Sequence, residues 1–217
     1  MTMKILIACE HSGVIRDAFK ARGHNAWSCD LKPSDTPGQH IEGDVFGVLD
    51  EGWDMMIAHP PCTYLAVSGA QWYYHPEDKH LPTHQRRPHP RYPDRVLDRE
   101  DAIAFFMALY QADIPRVCIE NPVGTMSTVF RKPDQIVQPY MFGDPATKTT
   151  CLWLRNLPLL EPTEVVDKGE RVTFKSGKSH PKWYADALAK AKTKEERQTL
   201  RSITFPGMAR AMAQQWG

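Results

Sequence analysis

The sequence has no apolar run long enough to cross a membrane. Met-Thr-Met-Lys-Ile-Leu-Ile enters a strand-like run directly, so no signal peptide is expected. Charge of one sign is missing too. There are 27 Lys and Arg against 26 Asp and Glu, a net charge of +1, so any nucleic-acid contact must come from a local patch. Cysteine is sparse and scattered: Cys9, Cys29, Cys62, Cys118 and Cys151 show no C-x-x-C spacing. An odd, dispersed set without a leader argues against a disulfide framework and for reduced thiols in a cytosol. No internal repeat is present. With 217 residues, 41% hydrophobic and 24% charged, the chain fits one domain carrying an elaboration.

Lys4 to Cys9 reads as a buried strand, followed by Ser12-Gly13 and a helical pattern through Ile15, Ala18 and Phe19 that stops at Gly23. His24 to Asp30 is a second strand ending in an acid, and Glu42-Gly-Asp44 follows a turn-rich stretch. Further strands are expected at Trp53–Ala58, Pro115–Glu120 and Lys148–Leu154. A helix is expected from about Arg99 to Tyr110, a charged one over Pro181–Leu200, and a last one over Pro206–Trp216. Alternating strands and helices predict an α/β fold with a mostly parallel sheet and helices on both faces. Residues 75–97 interrupt this pattern with dense proline, histidine and arginine, which forbid a long regular element and suggest a loop or lid.

Two segments carry chemistry. Asp54-Met-Met-Ile-Ala-His-Pro-Pro-Cys62 and Arg116-Val-Cys-Ile-Glu-Asn-Pro122 are apolar runs that end abruptly in reactive groups. Ligands of open α/β sheets bind at the carboxyl ends of strands. A thiol and a carboxyl brought together there suit covalent chemistry on a polar, electrophilic ring. Taken singly, Cys62 could be a packed thiol and Glu120 a helix cap.

The N-terminal half resembles a Rossmann-like S-adenosylmethionine-binding domain. In that resemblance Glu10, His11, Ser12 and Gly13 form the loop against the cofactor, Asp30 accepts from ribose hydroxyls and Asp44 from an adenine amino group. The order of loop, two acids, Pro60-Pro61-Cys62 and Glu120-Asn121-Pro122, with Arg201-Ser-Ile-Thr-Phe-Pro206 before the last helix, is similar to the cytosine-C5 DNA methyltransferase family. It resembles most the short phage and prophage members, which share runs like Lys148-Thr-Thr-Cys-Leu-Trp-Leu-Arg155 and Pro206-Gly-Met-Ala-Arg-Ala-Met-Ala.

The resemblance implies one methyltransferase-like domain over residues 1–217. Cys62, Glu120 and Asn121 would be catalytic, and Pro60 and Ser202 would complete the cofactor site. DNA is the implied partner and S-adenosylmethionine the cofactor. The protein would be a monomer in the cytoplasm of a bacterial or phage-infected cell. In the implied chemistry the Cys62 thiolate adds to C6 of cytosine. Glu120, with a raised carboxyl pKa, engages N3 and N4, and C5 then takes the methyl group. A base within a duplex must first be flipped out. The chain departs from the family pattern in places. Cys9 stands where an adenine-stacking aromatic is usual, the Gln-x-Arg-x-Arg motif is not evident, with Lys148 a candidate for part of its work, and the span from Lys148 to Arg201 is too short for a large recognition domain.

Four histidines, His75, His80, His84 and His89, have no cysteine nearby and no tight pairing, so no metal site is expected. Trp72, Tyr73 and Tyr74 beside Arg86, Arg87, Arg91 and Arg95 suit base stacking and phosphate contact. With Lys148 and Arg201, Arg86 and Arg87 are the candidate nucleic-acid contacts. Other readings keep the chemistry but change the substrate to RNA or a free pyrimidine nucleotide, or change the donor to a modified sulfonium. An N6-adenine enzyme would need an aromatic at Cys62, and a zinc deaminase a His-x-Glu and a second nearby cysteine. A relative that binds DNA or cofactor without catalysis is the reading from a different class.

Overall fold

The computed structural model describes residues 1–217, all but 194 and 198 with their side chains. Seven strands form the central sheet: β1 (Lys4–Ala8), β2 (Asn25–Asp30), β3 (His40–Glu42), β4 (Met55–Ala58), β5 (Arg116–Asn121), β6 (Gln135–Val137) and β7 (Thr150–Arg155). Their order is β3-β2-β1-β4-β5-β7-β6, and only β7 runs against its neighbours. This is the mostly parallel, Rossmann-like α/β sheet with helices on both faces that the sequence leads one to expect. Chain direction across the sheet reverses at β1, which has β2 on one side and β4 on the other. The crevice outside the strand ends at such a switch point is where a ligand fits.

Period-two alternation builds both layers of the core. Ile5, Ile7, Met55, Ile57 and Cys118 face helices α1 (Val14–Lys20) and α6 (Pro206–Trp216), meeting Ile15, Phe19, Met208, Met212 and Trp216. Leu6, Ala8, Met56, Ala58, Val117 and Ile119 face α2 (Arg95–Gln111), meeting Phe106 and Leu109. The side chains of β4 are fully buried on both faces, as an inner parallel strand requires. Each large one contributes about 1.5–3 kcal/mol of burial, so a charge at Ile57 would break the sheet.

The strand ends are aligned. Ala8 pairs with Ala58, and Ala58 with Ile119. The next residues, Cys9, His59 and Glu120, therefore stand in one row at its carboxyl edge, where β5 runs on to Asn121 beside β7.

The proline-rich stretch folds into short 3-10 turns, Pro76–His80 and Thr83–Gln85. They are tied together by Asp78, whose carboxylate accepts from the Arg87 backbone N–H at 2.8 Å and from its guanidinium at 2.7 and 3.0 Å. These bonds hold the Asp78 carboxyl well below its ordinary range.

The expected charged helix over Pro181–Leu200 is two helices, α4 (Lys182–Lys190) and α5 (Lys194–Arg201). Ahead of α4 lies a small antiparallel hairpin, β8 (Arg171–Thr173) and β9 (Ser179–Pro181). A four-residue helix, α3 (Met126–Val129), follows the turn after β5. Among the described residues, no helix is long and apolar enough to cross a membrane.

Candidate active site

β4 ends in His59-Pro-Pro-Cys62, and the two prolines deny the turn any ladder donors. Asn121, 1% exposed, holds that turn by donating from Nδ2 to the Pro60 carbonyl at 3.0 Å. Beyond Cys62 the chain is bound to the turn after β5: Val67 N–H donates to the Val123 carbonyl at 3.1 Å, and Thr125 N–H to the Leu65 carbonyl at 2.7 Å. Gly124 makes this approach possible, since a Cβ there would lie 1.9 Å from the Leu65 oxygen. The turns carrying Cys62 and Glu120 are thus one packed unit.

Glu120 is 14% exposed, and His59 Nδ1 lies 3.0 Å from its Oε2. Burial pushes its carboxyl up. The Lys148 ammonium, the His59 contact and a hydrogen bond from Thr150 outweigh that and bring it down to about 2. The raised carboxyl expected from the sequence is therefore corrected: in the free protein Glu120 is an anion. Its charge reaches its neighbours, helping to raise the thiols of Cys118 and Cys151, both chiefly raised by burial.

Cys62 is exposed. The protein walls around it nonetheless desolvate the thiol and raise its pKa, and Glu120 adds to the rise. Lys148 and Arg201 oppose it. Two buried polar atoms at this site have no protein partner, His59 Nε2 and Asn121 Oδ1.

A cavity of about 560 Å³ opens at the ends of β1, β2 and β4, lined by Cys9, Asp30, Leu31, Asp44, Phe46, Pro61, Tyr64, Asp98, Asp101 and Phe105 among others. Pro61 joins it to the Cys62 turn. Asp30 and Asp44 lie in its wall as well as serving their own turns, accepting from the Lys32 and Phe46 backbone N–H groups. Phe46, 44% exposed, and Leu31, 77% exposed, offer apolar surface at its mouth. Phe46 stacks edge-on to Phe105 at 5.2 Å. Phe46 is an aromatic in the cavity wall that sequence reading missed. Cys9 itself has φ 59°, a left-handed conformation uncommon outside glycine.

The Glu10–Gly13 loop is divided in its roles. Glu10 is 4% exposed, and its carboxylate accepts from the Ile15 and Arg16 backbone N–H groups at 2.8 and 3.2 Å, capping α1. Ser12 donates to the same carboxylate at 3.3 Å. His11 contacts Asp35 at 3.0 Å. Gly13 has φ 74°, and a Cβ there would meet the Thr36 hydroxyl at 2.3 Å.

The candidate nucleic-acid contacts separate in space. Arg86 donates to the Leu81 and Lys79 carbonyls, and Arg87 is engaged by Asp78, so both are tied into the insertion. Lys148, which donates to the Ile203 carbonyl at 2.8 Å, and Arg201 stand close enough to act on the Cys62 thiol. Ser202, exposed, donates to the Thr199 carbonyl at 3.0 Å. Residues 168–201 carry ten Lys and Arg against four Asp and Glu, although the whole chain is only +1. On this arm Phe174, His180 and Tyr184 stand ring to ring at 5.5 and 5.1 Å, with the Arg201 guanidinium 5.0 Å over Tyr184. Among the described residues no cluster suits a metal ion.

No protein-family model and no curated protein matches the sequence. Among solved structures the chain is similar to one titled a candidate DNA modification methyltransferase encoded within an E. coli prophage. That likeness has 12% identity and TM-score 0.46, and covers 76% of this chain and 52% of that one. It is also similar to Entamoeba histolytica methyltransferase EhMeth, with 12% identity and TM-score 0.47, over 76% of this chain and 58% of that one. The chain matches a little over half the length of either structure.

Proposed function

We propose that this chain transfers a methyl group from S-adenosylmethionine to C5 of cytosine in DNA, through a covalent bond between Cys62 and C6. The observation that carries this reading is the meeting of Cys62 and Glu120 at adjoining strand ends, close enough for the Glu120 charge to raise the thiol. A nucleophile and a carboxylate side by side, with the orphaned His59 Nε2 and Asn121 Oδ1 beside them, suit a polar heterocycle.

The chain's residues fit the cofactor. The cavity wall holds four carboxylates, Asp30, Asp44, Asp98 and Asp101, and no Lys or Arg, which favours a ligand bearing sulfonium and ammonium charge. Asp30 and Asp44 have free acceptor capacity for ribose and adenine groups. Phe46 and Leu31 would cover an adenine ring. When bound, the cofactor supplies an electrophilic methyl group.

Each remaining task falls to a residue of the chain. Lys148 and Arg201 favour the Cys62 thiolate, which adds to C6 and moves ring electrons toward N3. Glu120, an anion, accepts from the N4 amino group and so fixes that edge of the ring. Asn121 keeps the Cys62 turn in place through Pro60. The basic arm with its aromatic ladder suits a phosphate backbone and unstacked bases.

The test is transfer of labelled methyl from S-adenosylmethionine to single- and double-stranded DNA, RNA and a free cytosine nucleotide, with Cys62→Ala as control. The reading expects label in DNA only, lost in the variant. Label in RNA or the nucleotide alone would change the substrate, and label retained by the variant would remove the covalent step.

A further inference from the structure

An anionic Glu120 can accept from N4, but it brings no proton for N3. We propose that His59 holds that proton, so that His59 and Glu120 act as a two-residue relay to the pyrimidine ring. This rests on the cytosine-C5 reading above.

The placement follows from the sheet. Register brings the residues after Ala58 and Ile119 side by side. The His59 backbone N–H is fixed by the Ala8 carbonyl at 2.9 Å, which anchors the ring's base. Its Nδ1 then lies 3.0 Å from Glu120 Oε2, a proton-transfer distance, with both side chains 14% exposed. Nε2 is bound to no protein atom. Histidine is the side chain suited to gaining and losing a proton near neutrality.

The surroundings keep the proton within the pair. Lys148, ahead of β7, and Arg201, at the end of α5, are cations that cannot accept it. Cys118 on β5 and Cys151 on β7 are buried thiols with raised pKa, and Cys62 shares the His59 turn. Thr150, whose hydroxyl donates to the Lys148 carbonyl at 3.2 Å, lies beside Glu120 and helps keep its carboxyl low.

The step balances. The Cys62 thiolate forms the S–C6 bond, and the ring electron pair moves to N3. Glu120 takes a proton from His59 Nδ1 and passes it to N3, which leaves Glu120 an anion and the imidazole neutral. When the S–C6 bond breaks, after C5 has lost its hydrogen to solvent, the proton returns along the same path and the thiolate is restored.

The test compares wild type with His59→Gln and His59→Asn from pH 6 to 9. Two readouts are followed, methyl transfer to DNA and, without any donor, loss of tritium from C5 of the cytosine. Either amide can still donate a hydrogen bond to Glu120 but cannot carry a proton. Thermal melting of each variant establishes that it is folded.

The relay predicts a loss of about 100-fold in both readouts near neutrality. The deficit should shrink toward pH 6, where solvent acid is more able to supply N3 in place of His59, and KM for DNA should change little. A folded amide variant within about threefold of wild type, or a deficit constant with pH, would reduce His59 to a structural role. Wild type inactive in both readouts would instead overturn the cytosine-C5 reading, so the two failures are separable.

Discussion

Asn121 donates from Nδ2 to the Pro60 carbonyl at 3.0 Å, tying the end of one strand to the turn that carries Cys62 on the next. Asn121→Ala should leave the Pro60 oxygen unpaired and loosen the Cys62 turn, costing about 1–3 kcal/mol of stability. Activity should fall further than stability accounts for, because the thiol loses its position against the base. Single-turnover methylation by a folded Asn121→Ala protein checks this, and a rate equal to wild type would deny the strap any role.

The Cys62 thiol is raised, and Glu120 contributes to the rise. Alkylation of Cys62 in the free protein, followed on its peptide by mass spectrometry, should therefore climb steeply with pH through 9. Glu120→Gln should make it several-fold faster at fixed pH, and Lys148→Ala slower. Glu120 also links to stability. Its folded carboxyl, near 2, lies below the ordinary value of 4.5, so its contribution is full above about pH 4.5 and is lost as pH falls toward 2. The Glu120→Gln protein should show a smaller loss of melting temperature across that window.

Glu10 spends its carboxylate on the first turn of α1. Glu10→Ala should lower stability by about 2 kcal/mol, since a charged acceptor and a helix cap are removed together. If Glu10 acts only as a cap, cofactor affinity measured by calorimetry on the folded variant should change less than threefold. A larger change would return it to the cofactor site.

The arm at 168–201 concentrates basic charge beside an aromatic ladder. Replacing Lys175 and Lys178 by Glu should weaken DNA binding and flatten its dependence on salt, as fewer counterions are released. Fluorescence anisotropy at several salt concentrations reads the slope, and an unchanged slope would place the DNA elsewhere.

How legible this molecule was depended on the element. Pro206–Trp216 could be bounded to the residue, because a proline at its first position and an apolar face are local signals. The inner strands announced themselves through continuous apolar runs. β3 and β6 have only three residues each, and β8 is wholly exposed, so none carries enough periodicity to detect. The break between α4 and α5 was legible but overlooked. Thr193 and Glu196 form a capping pair, the Glu196 carboxylate accepting from the Lys192 and Thr193 N–H groups and Glu196 N–H donating to the Thr193 hydroxyl.

At the site, residue types at strand ends could be read, but their electrostatics could not. Glu120 is lowered by Lys148 and Thr150, some thirty residues away in sequence and brought close by β7. His59 stood within a segment singled out for its cysteine, and only the strand register revealed what it faces. Phe46 lies among Val45, Val48 and Leu49, a cluster too short to show which side chain turns from the core, so its place in the cavity wall needed the fold.

The most direct test of the account is the covalent bond itself. The protein is incubated with DNA containing 5-fluorocytosine and S-adenosylmethionine, then run on a denaturing gel beside Cys62→Ala. Fluorine at C5 blocks the final elimination, so the account predicts a protein–DNA adduct that survives denaturation and is missing from the variant. Failure of the wild-type protein to form an adduct on either single- or double-stranded DNA, under conditions where it binds both DNA and cofactor, would contradict it.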